Sequence, residues 1–281
     1  MASLSTMHGM GVYVDFSDEP KTGADMEWWY VTWPDGPYIR LLLQAKRLTG
    51  KGSKWGVHSY RELDHKIGKV LGAPLQAQAL VREARSSPWP AYPLYIFYNP
   101  LTTLSMARES GVNNLRGVML ADGHEVREHV ILSRRKKNRN FRRIGLLRPL
   151  LFPLSDLLCQ PTPLRLEDRQ LGTVVARFLA GMPFVDVTSA PSPAVIKKRL
   201  EHNHLRARKH RSTPYEPEEI KLGEGLPAHI RQAIIRHADG AGESDEPTLD
   251  RHRAIFVAGG ELLGEDRAIF LRDFFRINLR R

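Results

Sequence analysis

Apolar and polar positions alternate with the two-residue period of strands early in the chain and shift to a helical period further on. Gly11 to Phe16 alternates as a strand, and Ser17 to Pro20 supplies a turn. Two aromatic and aliphatic runs between residues 22 and 47 flank Pro34-Asp35-Gly36-Pro37, which reads as a β-hairpin. With the first strand this predicts an antiparallel meander. Leu75 to Arg85 then carries a helical stripe of Leu75, Ala79, Leu80 and Ala84, with Gln76 at its border. Ser86-Ser-Pro-Trp-Pro90 ends that helix, since proline cannot continue it. Pro93 to Tyr98 is a continuous apolar run, the pattern of a strand covered on both faces. The helix before it lets it join the sheet parallel to a meander strand. Gly117 to Leu120 predicts one more strand, and His124 to Leu132 a helix. The sum is an α/β fold: a mixed central sheet flanked by helices, in a core near residues 11–130. Residues 131–281 read as a basic, partly helical extension packed on that core.

The extension has its own pattern. Leu146 to Leu158 is apolar but broken by Pro149 and Pro153, so it is buried without being one long helix. Thr173 to Leu179 is another apolar stretch. In Lys197 to Arg211, Leu200, His204 and Arg208 fall on one helix face. Arg236 to Asp250 reads as a loop or hinge, Ala254 to Ala258 as a strand, and Asp266 to Leu279 as a packed helix.

The hairpin's polar positions change the picture. Side chains alternate between strand faces, so Asp25, Glu27 and Trp29 share one face. On the second strand Gln44 and Lys46 share a face, and Ile39, Leu41, Leu43 and Ala45 fill the other. Carboxylates, an amide and an ammonium on a packed sheet are costly unless partners satisfy them. A metal ion and a phosphate are the expected partners. A bland alternative is a Glu27–Lys46 pair across an ordinary hairpin, worth roughly 0.2–1 kcal/mol.

Composition narrows the partners. The net charge is +11 and the pI about 9.9, which favours polyanions: nucleic acid first, an anionic membrane second. No run of about 18 apolar residues occurs, so no membrane span is expected, and Met1 to Met10 has no signal-peptide pattern. The single cysteine, Cys159, reads as a core thiol in a reducing, cytoplasmic compartment. Arg134, Arg135, Lys136, Lys137, Arg139, Arg142 and Arg143 fall within ten residues, and no acidic residue interrupts them. Such a run suits sequence-blind, salt-sensitive phosphate contacts. Arg47 at the end of the hairpin joins that group. Arg47 to Lys69, with Gly50, Gly52, Gly56 and Gly68, reads as a loop or lid. His202, His204 and His210 have no cysteine or paired His doublets nearby, so zinc is not favoured. No G-x-x-x-x-G-K-[ST] loop and no G-x-S-x-G elbow occurs, which disfavours P-loop nucleotide hydrolysis and α/β-hydrolase chemistry.

Asp25, then eighteen residues, then Gln44-Ala-Lys46 resembles the core of the PD-(D/E)xK nucleases, and more narrowly the Mrr-type restriction endonucleases with their Gln-x-Lys variant. The longer string Thr-Gly-Ala-Asp-x-Glu-Trp-Trp, with Gln-Ala-Lys-Arg-Leu and Pro93-Leu-Tyr-Ile-Phe-Tyr-Asn99, is similar to a bacterial domain family of unassigned function. That family is usually placed near these nucleases and met in mobile or defence-related neighbourhoods. The resemblance covers roughly the first 120 residues. It implies a Mg²⁺- or Mn²⁺-dependent endonuclease acting on DNA in restriction or phage defence. Asp25 and Gln44 would be metal ligands, Lys46 would orient water or stabilise the phosphorane, and Gln76 would help assemble the site. Glu27 is added as catalytic group and ligand by strand periodicity. The superfamily usually opens with a helix bearing an acidic residue, whereas none of Met1 to Met10 is acidic. That carboxylate is expected to be absent or to lie upstream. The alternatives are a catalytically degenerate nucleic-acid-binding protein and a subunit of a larger defence or toxin assembly, completed by a protein partner or a second copy.

Overall fold

The computed structural model describes residues 12–15, 24–68, 72–158, 191–208, 218–238 and 252–258. Cys159, the stretch 173–179, the residues from 239 to 250 and the helix expected over 266–279 lie outside them.

Strand-forming runs build one mixed seven-stranded sheet: β1 (Val12–Asp15), β2 (Met26–Thr32), β3 (Tyr38–Arg47), β4 (Ala91–Tyr98), β5 (Val118–Asp122), β6 (Phe152–Pro153) and β7 (His252–Ala258). Their spatial order is β1-β7-β2-β3-β4-β5-β6. The hairpin β2–β3 forms as its alternation predicts, pairing Glu27 with Leu42 and Trp29 with Arg40. Its turn is tight: Thr32 N donates to Pro37 O at 3.0 Å, and Gly36 N donates to Thr32 O at 3.0 Å. A Cβ on Gly36 would stand 2.7 Å from the Cβ of Thr32, so only glycine fits there. β4 enters parallel to β3, with Gln44 opposite Tyr95, and β5 returns antiparallel to β4.

The three-strand meander is corrected. β7 lies between β1 and β2, antiparallel to the first and parallel to the second. Two strands from the expected extension, β6 and β7, are therefore part of the core sheet.

Seven helices flank the sheet among the described residues: α1 (Gln76–Ser86), α2 (Leu101–Glu109), α3 (Gly123–Arg135), α4 (Ile144–Leu147), α5 (Leu154–Leu158), α6 (Pro193–Arg208) and α7 (Ala228–Ala238). Alternation sends Leu42, Tyr95, Phe97 and Ala121 to one face, where Ala77, Leu80 and Ala84 of α1 and Val126 and Val130 of α3 cover them. On the other face Trp28, Leu41, Leu43, Leu94 and Ile96 pack against Leu157 of α5 and Ile196 and Leu200 of α6. Ile230, Ala233 and Ile234 of α7 bury Trp29, Val31, Ile255 and Val257. Burying one such aliphatic or aromatic side chain stabilises by about 1.5–3 kcal/mol, and both faces of β2, β3 and β4 carry them. The rigid middle of this sheet is where the polar positions of β3 project. No helix among the described residues is long and apolar enough to cross a membrane.

Candidate active site

Arg40, Leu42, Gln44 and Lys46 leave β3 on the face covered by α1, and they divide into two polar groups around Leu42. In the first, Arg40 Nε and Nη2 donate to Glu27 Oε2 at 3.0 and 2.7 Å, and Nη1 donates to Ser87 Oγ at 2.6 Å. The guanidinium also lies 5.2 Å from the ring centre of Trp29 and 5.9 Å from that of Trp89. Glu27 is 2% exposed and Arg40 6%. Glu27 therefore shares the face of Asp25 as periodicity required, but its carboxylate is held by Arg40. The structure places Glu27, expected as a metal ligand, in a buried ion pair, and the partner is Arg40 instead of Lys46.

The second group lies at the other end of β3. Asp25 precedes β2, and its backbone N donates to Leu43 O at 2.8 Å. Its Oδ2 accepts from Ala45 N at 2.7 Å and from Gln44 Nε2. Gln44 is 2% exposed, and its Oε1 has no hydrogen-bond partner. The buried hydroxyl of Tyr95, opposite Gln44 in the sheet, has none either. Lys46, 5% exposed, donates from Nζ to Gln76 Oε1 at 2.6 Å. Gln76 is fixed as the first residue of α1, where its N donates to His65 O at 2.8 Å. Burial pulls the Lys46 ammonium below its ordinary pKa, against the opposing pull of the Asp25 and Glu62 carboxylates. Burial raises the Tyr95 phenol, and the charge of Asp25 adds to that. Tyr98 is raised by the same two causes in the same order.

The structure thus brings together Asp25, Gln44, Lys46 and Gln76, and it adds two residues the sequence did not point to. Tyr95 was hidden in an apolar run. Glu62 is an exposed side chain of the turn 61–64, inside a stretch whose glycines suggest a lid. That stretch is fastened instead. Leu48, Tyr60 and Leu63 are buried, Tyr60 OH donates to Asn99 Oδ1 at 2.6 Å, and Ser59 pairs with both Thr49 and Arg143.

The same turn ties the cluster to the basic run. Tyr60 N donates to Arg142 O at 3.0 Å, and Arg142 Nη2 reaches Asp64 Oδ2 at 2.8 Å. Arg134 stands 3.9 Å from that carboxylate. Asp64, distant in sequence, therefore absorbs part of a charge that no local acid could. Arg134, Arg135, Lys136, Lys137 and Arg139 are exposed, Arg142 and Arg143 are half-buried, and Arg47 is exposed at the end of β3.

The oxygen donors suit a hard divalent cation. Asp25 offers a carboxylate and Gln44 an unsatisfied carbonyl oxygen, and Mg²⁺ is commonly held by one or two carboxylates with waters and substrate phosphate. Among the described residues no group of three or more His, Cys, Asp or Glu is arranged to hold a metal. Any cation here would lean on water and substrate.

A third polar cluster occupies the opposite side of β4. Asp122 caps α3 by accepting from His124 N at 2.7 Å. Its Oδ2 accepts from Tyr92 OH at 2.9 Å and lies 3.1 Å from His204 Nε2. His204 shares its helix face with buried Leu200, as the spacing predicted, and is a packed residue. His124 Nε2 lies 3.3 Å from Glu218, and burial lowers its pKa to about 4.

A family model covers residues 1–261 of the chain and is described as a family of unknown function, DUF6615. The chain belongs to this family. No curated protein and no solved structure matches it. DUF6615 membership carries no activity with it, so the function is argued from the cluster around Asp25.

Proposed function

We propose that the protein is a metal-dependent phosphodiesterase that cleaves DNA endonucleolytically, centred on Asp25, Gln44 and Lys46. The observation that carries the reading is the orphaned Gln44 carbonyl oxygen, buried beside a carboxylate its own amide holds in place. A buried acceptor without a partner costs about 1–3 kcal/mol, and a cation held by Asp25 would satisfy this one. Asp25 and Gln44 would hold Mg²⁺ or Mn²⁺, which supplies polarisation of a phosphoryl oxygen and a more acidic bound water. Lys46, positioned by Gln76, neutralises charge developing on the phosphate. Glu62 adds negative charge near Lys46 from the exposed side. The basic run holds the sugar-phosphate backbone through non-specific ionic contacts. A cytoplasmic restriction or phage-defence setting follows from the nuclease resemblance.

One observation favours a second reading. With Glu27 taken by Arg40, Asp25 is the one carboxylate hydrogen-bonded to Gln44 among the described residues. A protein that kept the fold and the basic surface after losing catalytic carboxylates, or that completes its site with a partner or a second copy, would look the same. Cleavage of supercoiled plasmid in Mg²⁺ or Mn²⁺, against EDTA and beside Lys46→Met, separates the two. Metal-dependent nicking lost in the variant supports the hydrolase. Salt-sensitive retention of DNA without cleavage supports the binding protein.

A further inference from the structure

The face carrying the cluster has a second feature that the hydrolase reading does not use. α1 and α3 pack side by side, and between their outer surfaces lies a cavity of about 440 Å³. Arg82 and Arg85 of α1 and Arg127 of α3 line it, with Glu128 the one acidic side chain and Val81 and Ile131 its apolar part. Arg85 pairs with Glu218 and Arg127 with Glu128. Among the described residues no ion pair engages Arg82.

The groove has a direction. α1 starts at Gln76, which holds Lys46, and Gln78 lines the groove two residues later. From Gln78 to Arg85 the helix rises about 10 Å. On α3, Arg127 and Ile131 continue at helical spacing to Arg134 and Arg135, the start of the basic run. Asp64 and His65 mark the common end: Arg142 meets Asp64, and Gln76 N donates to His65 O. One end of the groove therefore lies at the start of α1, near the basic run, and the other at Arg85 and Arg127.

We infer that this groove holds a single nucleic-acid strand running to or from the Asp25–Lys46 cluster. Packed helices lie about 8–10 Å apart, so the channel between their outer faces is too narrow to seat a duplex. A lone phosphodiester strand fits the width, and three guanidiniums against the carboxylates of Glu128 and Glu218 leave one positive charge, that of Arg82, for a phosphate. No aromatic ring lines the groove, so bases have no stacking platform and recognition runs through phosphates. The inference rests on the nucleic-acid reading above and extends it to which strand lies where.

The test is fluorescence anisotropy of a short labelled oligothymidylate in EDTA, with plasmid cleavage followed in parallel. Arg82→Ala combined with Arg127→Ala should weaken binding about tenfold or more and lower the salt slope by about 1.4, the share of two single-strand phosphate contacts. Ser86→Leu, which narrows the groove and keeps every charge without adding an aromatic ring, should weaken binding as well. Unfolding temperatures matching wild type show that the surface variants fold. Wild-type binding in both groove variants overturns the inference, and so does an equal loss of binding to blunt duplex. Groove-dependent binding in a wild-type protein that cleaves nothing keeps the groove and sinks the hydrolase reading alone.

Discussion

Glu27 and Asp25 stand two residues apart on one strand face, and they do opposite things. Glu27 sits in a closed unit, where Arg40 donates twice to its carboxylate, Ser87 takes a third donor and two indoles cover the guanidinium. Asp25 sits in an open one. Its carboxylate holds an amide whose carbonyl oxygen points at nothing, next to a buried phenol in the same condition. Complete satisfaction of buried polar groups is what stability asks for, whereas binding sites leave them waiting for a ligand. On the proposed function, Glu27 serves the fold and Asp25 the chemistry.

The largest effect should come from opening the closed unit. Glu27→Ala leaves the Arg40 charge buried and unpaired, which should lower stability by about 3–5 kcal/mol in urea unfolding. A loss below about 1 kcal/mol would mean that the pair is not what holds the hairpin. Next in size is Lys46→Met in the open unit. Plasmid cleavage should fall by about two to three orders of magnitude, as when one charge-stabilising donor is removed elsewhere.

The same variant sharpens the contrast through pH. Because burial sets the Lys46 pKa below 10.5, the unfolded chain binds more protons between the two values, and stability rises with pH across that interval. Lys46→Met should be the more stable protein at neutral pH, with the gap closing in alkali. An unchanged gap would show that Lys46 is not buried as a cation. On the opposite face of the sheet, His124 titrates at about 4 against an ordinary 6.5, so stability should fall as pH drops through that window. His124→Gln should flatten that fall. The smallest effect concerns the surface: replacing Lys136 and Lys137 by Ala should leave stability unchanged and reduce the salt slope of duplex binding by about 0.9 per lost contact.

How far the sequence could be read follows from the range of its signals. Alternation in β2 and β3 is local, so the hairpin and the common face of Gln44 and Lys46 were legible. So was the helical border position of Gln76, whose partner the structure supplies. The insertion of β7 was not legible, because a parallel strand more than two hundred residues away leaves no trace in local periodicity. Arg40 stands among apolar neighbours in the sequence, and its partner depends on the β2–β3 register and on Ser87 after α1. Glu62 and Asp64 were lost in a glycine-rich stretch whose anchors, Tyr60 and Leu63, look like any apolar residues until they are placed.

The most direct measurement is plasmid cleavage in Mg²⁺ by Asp25→Asn beside Glu27→Gln, each checked for folding by urea denaturation. The Asp25→Asn side chain keeps an acceptor for Ala45 N and loses the charge, so the account predicts a folded protein without cleavage. Glu27→Gln should lose stability and retain cleavage in the fraction that folds. Wild-type cleavage by Asp25→Asn, or its loss in a folded Glu27→Gln, would contradict the division of the hairpin into a structural half and a chemical half.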